Sequence, residues 1–234
     1  VLFLHETHKV DGRKEDEFEA AYRDQWMPTM AESDYARLLW YTNHAHGSGL
    51  SYNVVTITAI ADGRAWEELA TRMQRGDLQS WAGEVDNLRH DVFGKILMPV
   101  HWSPLQEVDL DMVPTDGRTH EPSLFMEDTG WPYVAIDDYI QGWYDIYYAP
   151  MQKRPPEQQV LDIQACFQVA HGTHQRREAM LWQKIRRPEA LTQLLTNEMP
   201  PEHRGPGSYM YDALELRDQW ESRLLRTSSW SPLF

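Results

Sequence analysis

The chain has a single cysteine, Cys166, in 234 residues. One thiol excludes an internal disulfide framework and fits a reducing compartment. Basic residues are scarce: 22 Lys and Arg stand against 36 Asp and Glu, a formal net charge of −14. That deficit argues against nucleic acid or an anionic membrane surface as partner. No apolar run approaches the ~20 residues of a membrane helix. No basic leader and apolar h-region open the chain at Val1. No secretory signal is therefore expected, though a trimmed one stays open. These absences point to a cytoplasmic protein. Chemistry is thinned out in the same way. There is no G-x-S-x-G elbow, and no glycine-rich phosphate loop leads into a helix.

What is abundant is aromatic: 10 Trp and 11 Tyr. Rings at that density suit large cavities or interfaces, although core packing uses the same residues. The sequence also says nearly the same thing twice. Leu2-Phe3-Leu4-His5-Glu6-Thr7 returns as Leu124-Phe125-Met126-Glu127-Asp128-Thr129, an offset of 122. Ala45-His46-Gly47 returns as Ala170-His171-Gly172 at 125, and Trp102-Ser103-Pro104-Leu105 as Trp230-Ser231-Pro232-Leu233 at 128. An offset that grows by three twice means a tandem duplication with two short insertions in the second copy. The units span residues 1–105 and 123–234, joined by a polar linker, 106–122, expected to wrap the surface.

Each copy reads as strand, helix, strand, strand, helix, strand. In the first, an extended stretch from Leu2 to Val10 stops at Asp11-Gly12. Phe18, Ala21, Tyr22, Gln25, Trp26 and Met30 then fall on one helical face, with Pro28 expected to end or bend the helix near Trp26. Extended runs 36–44 and 52–60 follow, then a helical region 65–91 and a strand 95–102. This is the α+β, split βαβ (ferredoxin-like) arrangement, with both helices on one face of an antiparallel sheet. Two such sheets leave two bare faces. Packing them together predicts one intramolecular, pseudo-dimeric α/β barrel.

Here the sequence resembles a known group. The strand His5-Glu6-Thr7, the run Asp11-Gly12-Arg13-Lys14, then Glu17-Phe18 and an acidic helix ending in Trp26-Met27-Pro28 are similar to the NIPSNAP-like branch of the dimeric α/β-barrel superfamily. The resemblance is sharp over residues 2–30 and covers both copies as architecture. It implies a ligand cavity between the two sheets. It does not choose a reaction, because that superfamily holds cofactor-free monooxygenases, polyketide cyclases, muconolactone isomerases, haem-dependent chlorite dismutases and aldoxime dehydratases.

Period-two alternation sorts the strands into helix-facing and lumen-facing sets. Leu2 and Leu4 suit the helices, which sends Phe3, His5 and Thr7 inward. Uniformly apolar Val55, Ile57 and Ala59 suit the helix side, which sends Tyr52, Val54, Thr56 and Thr58 inward. Trp40, Thr42 and His44 are placed inward, with His46 at the mouth. A free histidine can give or take a proton near neutrality, and the copy-equivalent of His5 is Glu127, so the two could meet as a base and an acid or orienting partner. The plainer alternative is a hydrogen-bonded core histidine and a solvated glutamate. Tyr52 could donate to an oxyanion and Arg177 bind a carboxylate or enolate, against ordinary packing and surface charge.

The expected catalytic set is therefore His5, Tyr52 and Glu127, with Phe3, Trp40, His44, His46, Thr56 and Arg177 contacting substrate. No cofactor is expected. His44 and His46 have chelate spacing but no third metal ligand at a diagnostic distance. Haem would have to use His171, His174 or His203 of the second unit. The leading expectation is a cofactor-independent small-molecule enzyme of lyase, isomerase, cyclase or monooxygenase type. It would apply acid–base chemistry to an apolar or aromatic metabolite in an aromatic-lined barrel. The alternatives are a non-catalytic module for a hydrophobic ligand or protein, or a haem-binding barrel of the chlorite dismutase type. Exposed sheet edges leave a homo-oligomer open.

Overall fold

The computed structural model describes residues 1–173, 176–198, 200–201 and 204–234. The first unit runs β1 (Leu2–Val10), α1 (Glu15–Ala21), a π-turn segment (Tyr22–Trp26), α2 (Met27–Ala31), β2 (Ala36–His44), β3 (Asn53–Ile60), α3 (Gly63–Arg75), α4 (Gln79–Asp86) and β4 (Arg89–Pro99). The second repeats it as β5 (Leu124–Trp131), α5 (Ile136–Trp143), a π-turn segment (Tyr144–Tyr148), α6 (Ala149–Gln152), β6 (Leu161–His171), β7 (Ala179–Ile185), α7 (Pro188–Thr196), α8 (Tyr209–Asp212) and β8 (Gln219–Thr227). All neighbouring strands are antiparallel and close into one barrel, β1-β3-β2-β8-β5-β7-β6-β4. The halves join at two seams, β2 with β8 and β4 with β6.

Pro28 does not end the first helix. A proline ring clashes with the carbonyl four residues back, and the wider π-turn at Tyr22–Trp26 makes room, so the helix runs on to Ala31. Pro150 is preceded by the same device at Tyr144–Tyr148. Phe18, Tyr22, Trp26 and Met30 pack on Leu4, Leu38, Tyr41 and Val54 of the sheet's outer face. The helical region expected over 65–91, with an interruption near Arg75-Gly76-Asp77, is broken there into α3 and α4, but α4 stops at Asp86 and β4 already begins at Arg89.

The Trp-Ser-Pro-Leu words are exchanged clasps. Trp102, from the first copy, packs with Ile136, Tyr139, Ile140 and Trp143 of the second, and its indole donates to the Ile140 carbonyl at 3.0 Å. Trp230 packs into the first copy's helix layer and donates to Glu19 at 2.5 Å. Ser103 Oγ accepts the Cys166 N–H at 2.9 Å, and Ser231 Oγ accepts the Tyr41 N–H at 3.0 Å. Each serine therefore satisfies a buried backbone donor in the opposite half.

The linker does more than wrap the surface. Val108, Leu110 and Val113 pack against the lumen's apolar residues, together with Val1, Leu105 and Leu233. They close one end of the barrel.

Candidate functional site

The lumen is built in two layers. Towards the closed end, Phe3, Trp40, Phe125, Phe167, Met180 and Trp182 interdigitate, with Phe125 stacked on Trp182 at 5.2 Å and Phe3 tilted on Phe167 at 4.8 Å. This packing fills space that the resemblance reserves for a ligand. Beyond it the inward positions turn ionic. His5 and Glu127 are each 1% exposed, and His5 Nε2 lies 2.7 Å from Glu127 Oε2.

Burial alone would raise the Glu127 carboxyl. The positive neighbours His5, Arg223 and Lys95 overcome this and hold it down at about 2. An ionised carboxylate only accepts, so His5 Nε2 donates and fixes the ring orientation. His5 Nδ1 has no protein partner among the described residues.

The flanking cations also repeat across the copies. Lys95 and Arg223 occupy equivalent inward positions, opposite His5 and Glu127 respectively. Lys95 Nζ lies 2.8 Å from Glu178 Oε1, a buried pair that spans the halves, while Trp131 donates to Glu178 Oε2 at 2.6 Å. Arg223 lies 3.4 Å from Glu127 and donates to Thr7 Oγ1 at 3.2 Å and Glu221 at 3.1 Å. His44 also faces in, on a strand position paired with Leu225. Burial and then the Arg223 charge lower its pKa, and both its ring nitrogens lack partners among the described residues.

Four expected site residues fall elsewhere. Tyr52 is 49% exposed in the turn before β3, has a positive φ of 60°, and lays its ring over Gly12. His46 is exposed in the turn after β2, so it shares no chelating face with His44. Arg177 is exposed ahead of β7. Thr56 points to the helices, where it accepts from His8 Nε2 at 3.0 Å, because Arg89 already donates to His8 Nδ1.

The β3 faces are in fact inverted: Val55, Ile57 and Ala59 line the lumen, while Val54, Thr56 and Thr58 face the helices. All eight residues of β3 are buried, and the lumen here is itself apolar, so the two threonines turn to the helix side, where His8 and Trp26 bond them. Phe3, His5, Trp40, His44 and Glu127 lie inward as expected. Lys95 and Arg223 were missed. A basic residue at the same inward position of both copies was the signal.

An open space lies outside the barrel. A cavity of about 780 Å³ sits between the outer face of the second half-sheet and its helices, lined by Asp128, Trp143, Tyr147, Leu181, Tyr209 and Arg217 among others.

Among the described residues, no cluster of three or more His, Cys, Asp or Glu side chains could hold a metal. In the second unit His171 is exposed at the end of β6, and the cavity lining contains no histidine. His174 and His203 lie outside the described residues. No described helix is long and apolar enough to cross a membrane.

No family model and no curated protein matches the sequence. Solved structures do match the fold. An anthrone oxidase-like protein, 11% identical, aligns over 97% of this chain and 91% of its own with a TM-score of 0.57. A protein provisionally named a chlorite dismutase, 7% identical, aligns over 98% and 96% with a TM-score of 0.54. Neighbours also include a NIPSNAP domain protein from Burkholderia xenovorans, 20% identical over 44% of this chain and 97% of its own, with a TM-score of 0.37. The chain has the dimeric α/β-barrel fold, with both halves supplied by one polypeptide.

Proposed function

We propose that the protein is a cofactor-independent small-molecule enzyme in which His5, oriented by Glu127, moves a proton on an apolar or aromatic metabolite. The 2.7 Å contact between His5 and Glu127 carries this reading, because it leaves Nδ1 as an unpartnered buried nitrogen. With Nε2 committed to the carboxylate, Nδ1 takes a proton from an acidic C–H or O–H, and Glu127 balances the imidazolium that forms. Arg223 and Lys95 bias the site towards the resulting anion. Elimination, isomerisation, ring closure and oxygen addition share that first step. The anthrone oxidase-like neighbour supports an oxygenation of a ring compound only by its name and fold.

The test uses aerated anthrone as the probe substrate and follows oxygen uptake. His5→Ala is expected to lower the rate on the order of 10²-fold or more with the melting temperature nearly unchanged. Loss of rate and melting temperature together marks His5 as a structural histidine. A second reading, a non-catalytic holder of an apolar ligand, is supported by the cavity of about 780 Å³ lying away from His5.

A further inference from the structure

The two halves differ most in the helix layer. In the first, α3 has 13 residues and α4 has 8, and Trp81 stacks on Trp26 at 4.5 Å to fill the space over the sheet. Their counterparts are α7, with 9 residues, and α8, with 4 residues that run on as a 3₁₀ turn, Ala213–Glu215. The aromatic groups at the matching places are engaged differently. Tyr148, equivalent to Trp26, stacks on Trp102 at 4.9 Å, and Tyr209 stacks on Tyr147 at 4.6 Å. The shorter α7 over a full-sized sheet leaves the cavity of about 780 Å³. That volume is within the range of ordinary small-molecule pockets, ~300–1,000 Å³.

One carboxyl on the sheet faces this space. Asp128 follows Glu127 on β5, so the two point to opposite faces, Glu127 into the lumen and Asp128 into the cavity. Gln183 Nε2 donates to Asp128 Oδ2 at 2.7 Å, and Ser222 Oγ donates to Oδ1. Tyr147 donates to Gln183 Oε1 at 2.7 Å, which fixes the amide with its NH₂ towards the carboxyl. The carboxyl is thus held by two donors, and each oxygen keeps a lone pair free. Burial raises its pKa to about 6, against the lowering effect of Ser222, Gln183 and Arg217.

Arg217, 3% exposed, lies 5.1 Å from the Trp220 ring, and its Nε has no acceptor among the described residues. Arg154 and Glu198 also line the cavity. Arg217 and Arg154 disfavour an ammonium ligand, while Asp128 and Glu198 disfavour a carboxylate. A neutral hydroxyl donating to Asp128 meets neither penalty.

We propose that this cavity is a ligand site separate from the lumen, taking a neutral ring compound whose hydroxyl donates to Asp128 and whose rings pack among Trp143, Tyr147 and Tyr209. In the first unit Trp26 and Trp81 occupy the equivalent space.

The full chain is titrated with 2-naphthol and, separately, with naphthalene, followed by fluorescence. Asp128→Asn is expected to weaken 2-naphthol about tenfold or more while changing naphthalene less than about twofold. The 2-naphthol affinity should rise as pH increases through about 6, where the carboxyl ionises, and this dependence should vanish in Asp128→Asn. Ala190→Trp, which fills the cavity from α7, should abolish binding of both compounds at an unchanged melting temperature. His5→Ala should leave both affinities unchanged, so failure of the lumen reading and failure of this one are separable. The proposal is overturned if the wild type binds neither compound. It is equally overturned if Ala190→Trp binds both normally, or if Asp128→Asn binds 2-naphthol as tightly as the wild type.

Discussion

His5 and Glu127 occupy the same position in the two copies, and they bond to each other at 2.7 Å inside the barrel. Two equivalent residues can meet in this way only where the axis relating the halves passes between them. That axis is therefore marked by a hydrogen-bonded histidine–carboxylate pair assembled from a duplication that later diverged. A strict repeat would have placed two histidines or two glutamates face to face, and a pair of like charges is disfavoured there.

Glu127 should give the protein a distinctive acid response. Its carboxyl is depressed from 4.5 to about 2, so its contribution is fully present above pH about 4.5 and is lost as pH falls towards 2. Glu127→Gln should remove that component of an acid-unfolding curve. At neutral pH it should cost about 3–5 kcal/mol in denaturant titration, because Arg223 loses a buried counter-charge and His5 its carboxylate acceptor.

The exchanged serines should matter equally. Ser103→Ala and Ser231→Ala each strand a buried backbone N–H, of Cys166 and Tyr41 respectively. Each should lower stability by about 1–3 kcal/mol. A variant as stable as the wild type in equilibrium unfolding would show that the clasp is held by its tryptophan alone.

Cys166 should be silent in the native protein. It is fully buried, and burial pushes its thiol well up, away from the reactive thiolate. A disulfide-exchange reagent should label nothing in native buffer and one thiol per chain in denaturant.

Trp81→Ala should cost about 3–5 kcal/mol, because Trp81 fills the first unit's helix layer against Trp26 and Tyr22. Tyr209→Ala, at the wall of a space already open, should cost distinctly less. Equal losses in thermal unfolding would mean that the asymmetry between the halves has no energetic counterpart.

Much of this was legible in the residues. The repeat offsets marked two copies, the change from period two to period 3.6 ordered the elements, and equivalence paired His5 with Glu127. Tyr52 and Arg177 were misplaced because they sit in turns, where alternation no longer applies. Thr56 was misplaced because both faces of β3 are buried. Asp128 was passed over although Glu6, its copy-equivalent, is also acidic. A carboxyl kept at one helix-facing position of both halves was a signal that could have found it.

The sequence by itself determined that the chain is a duplicated ferredoxin-like unit whose halves must cover each other's bare sheet. Periodicity and repetition are local properties, and local chemistry enforces them. Only the tertiary structure decided where the room is. Whether a space is filled depends on how far a helix four residues shorter fails to reach, and on which of two rings turns into the gap. The linker and the aromatic residues closed one end of the lumen, and the shortened second helix layer opened a cavity outside it.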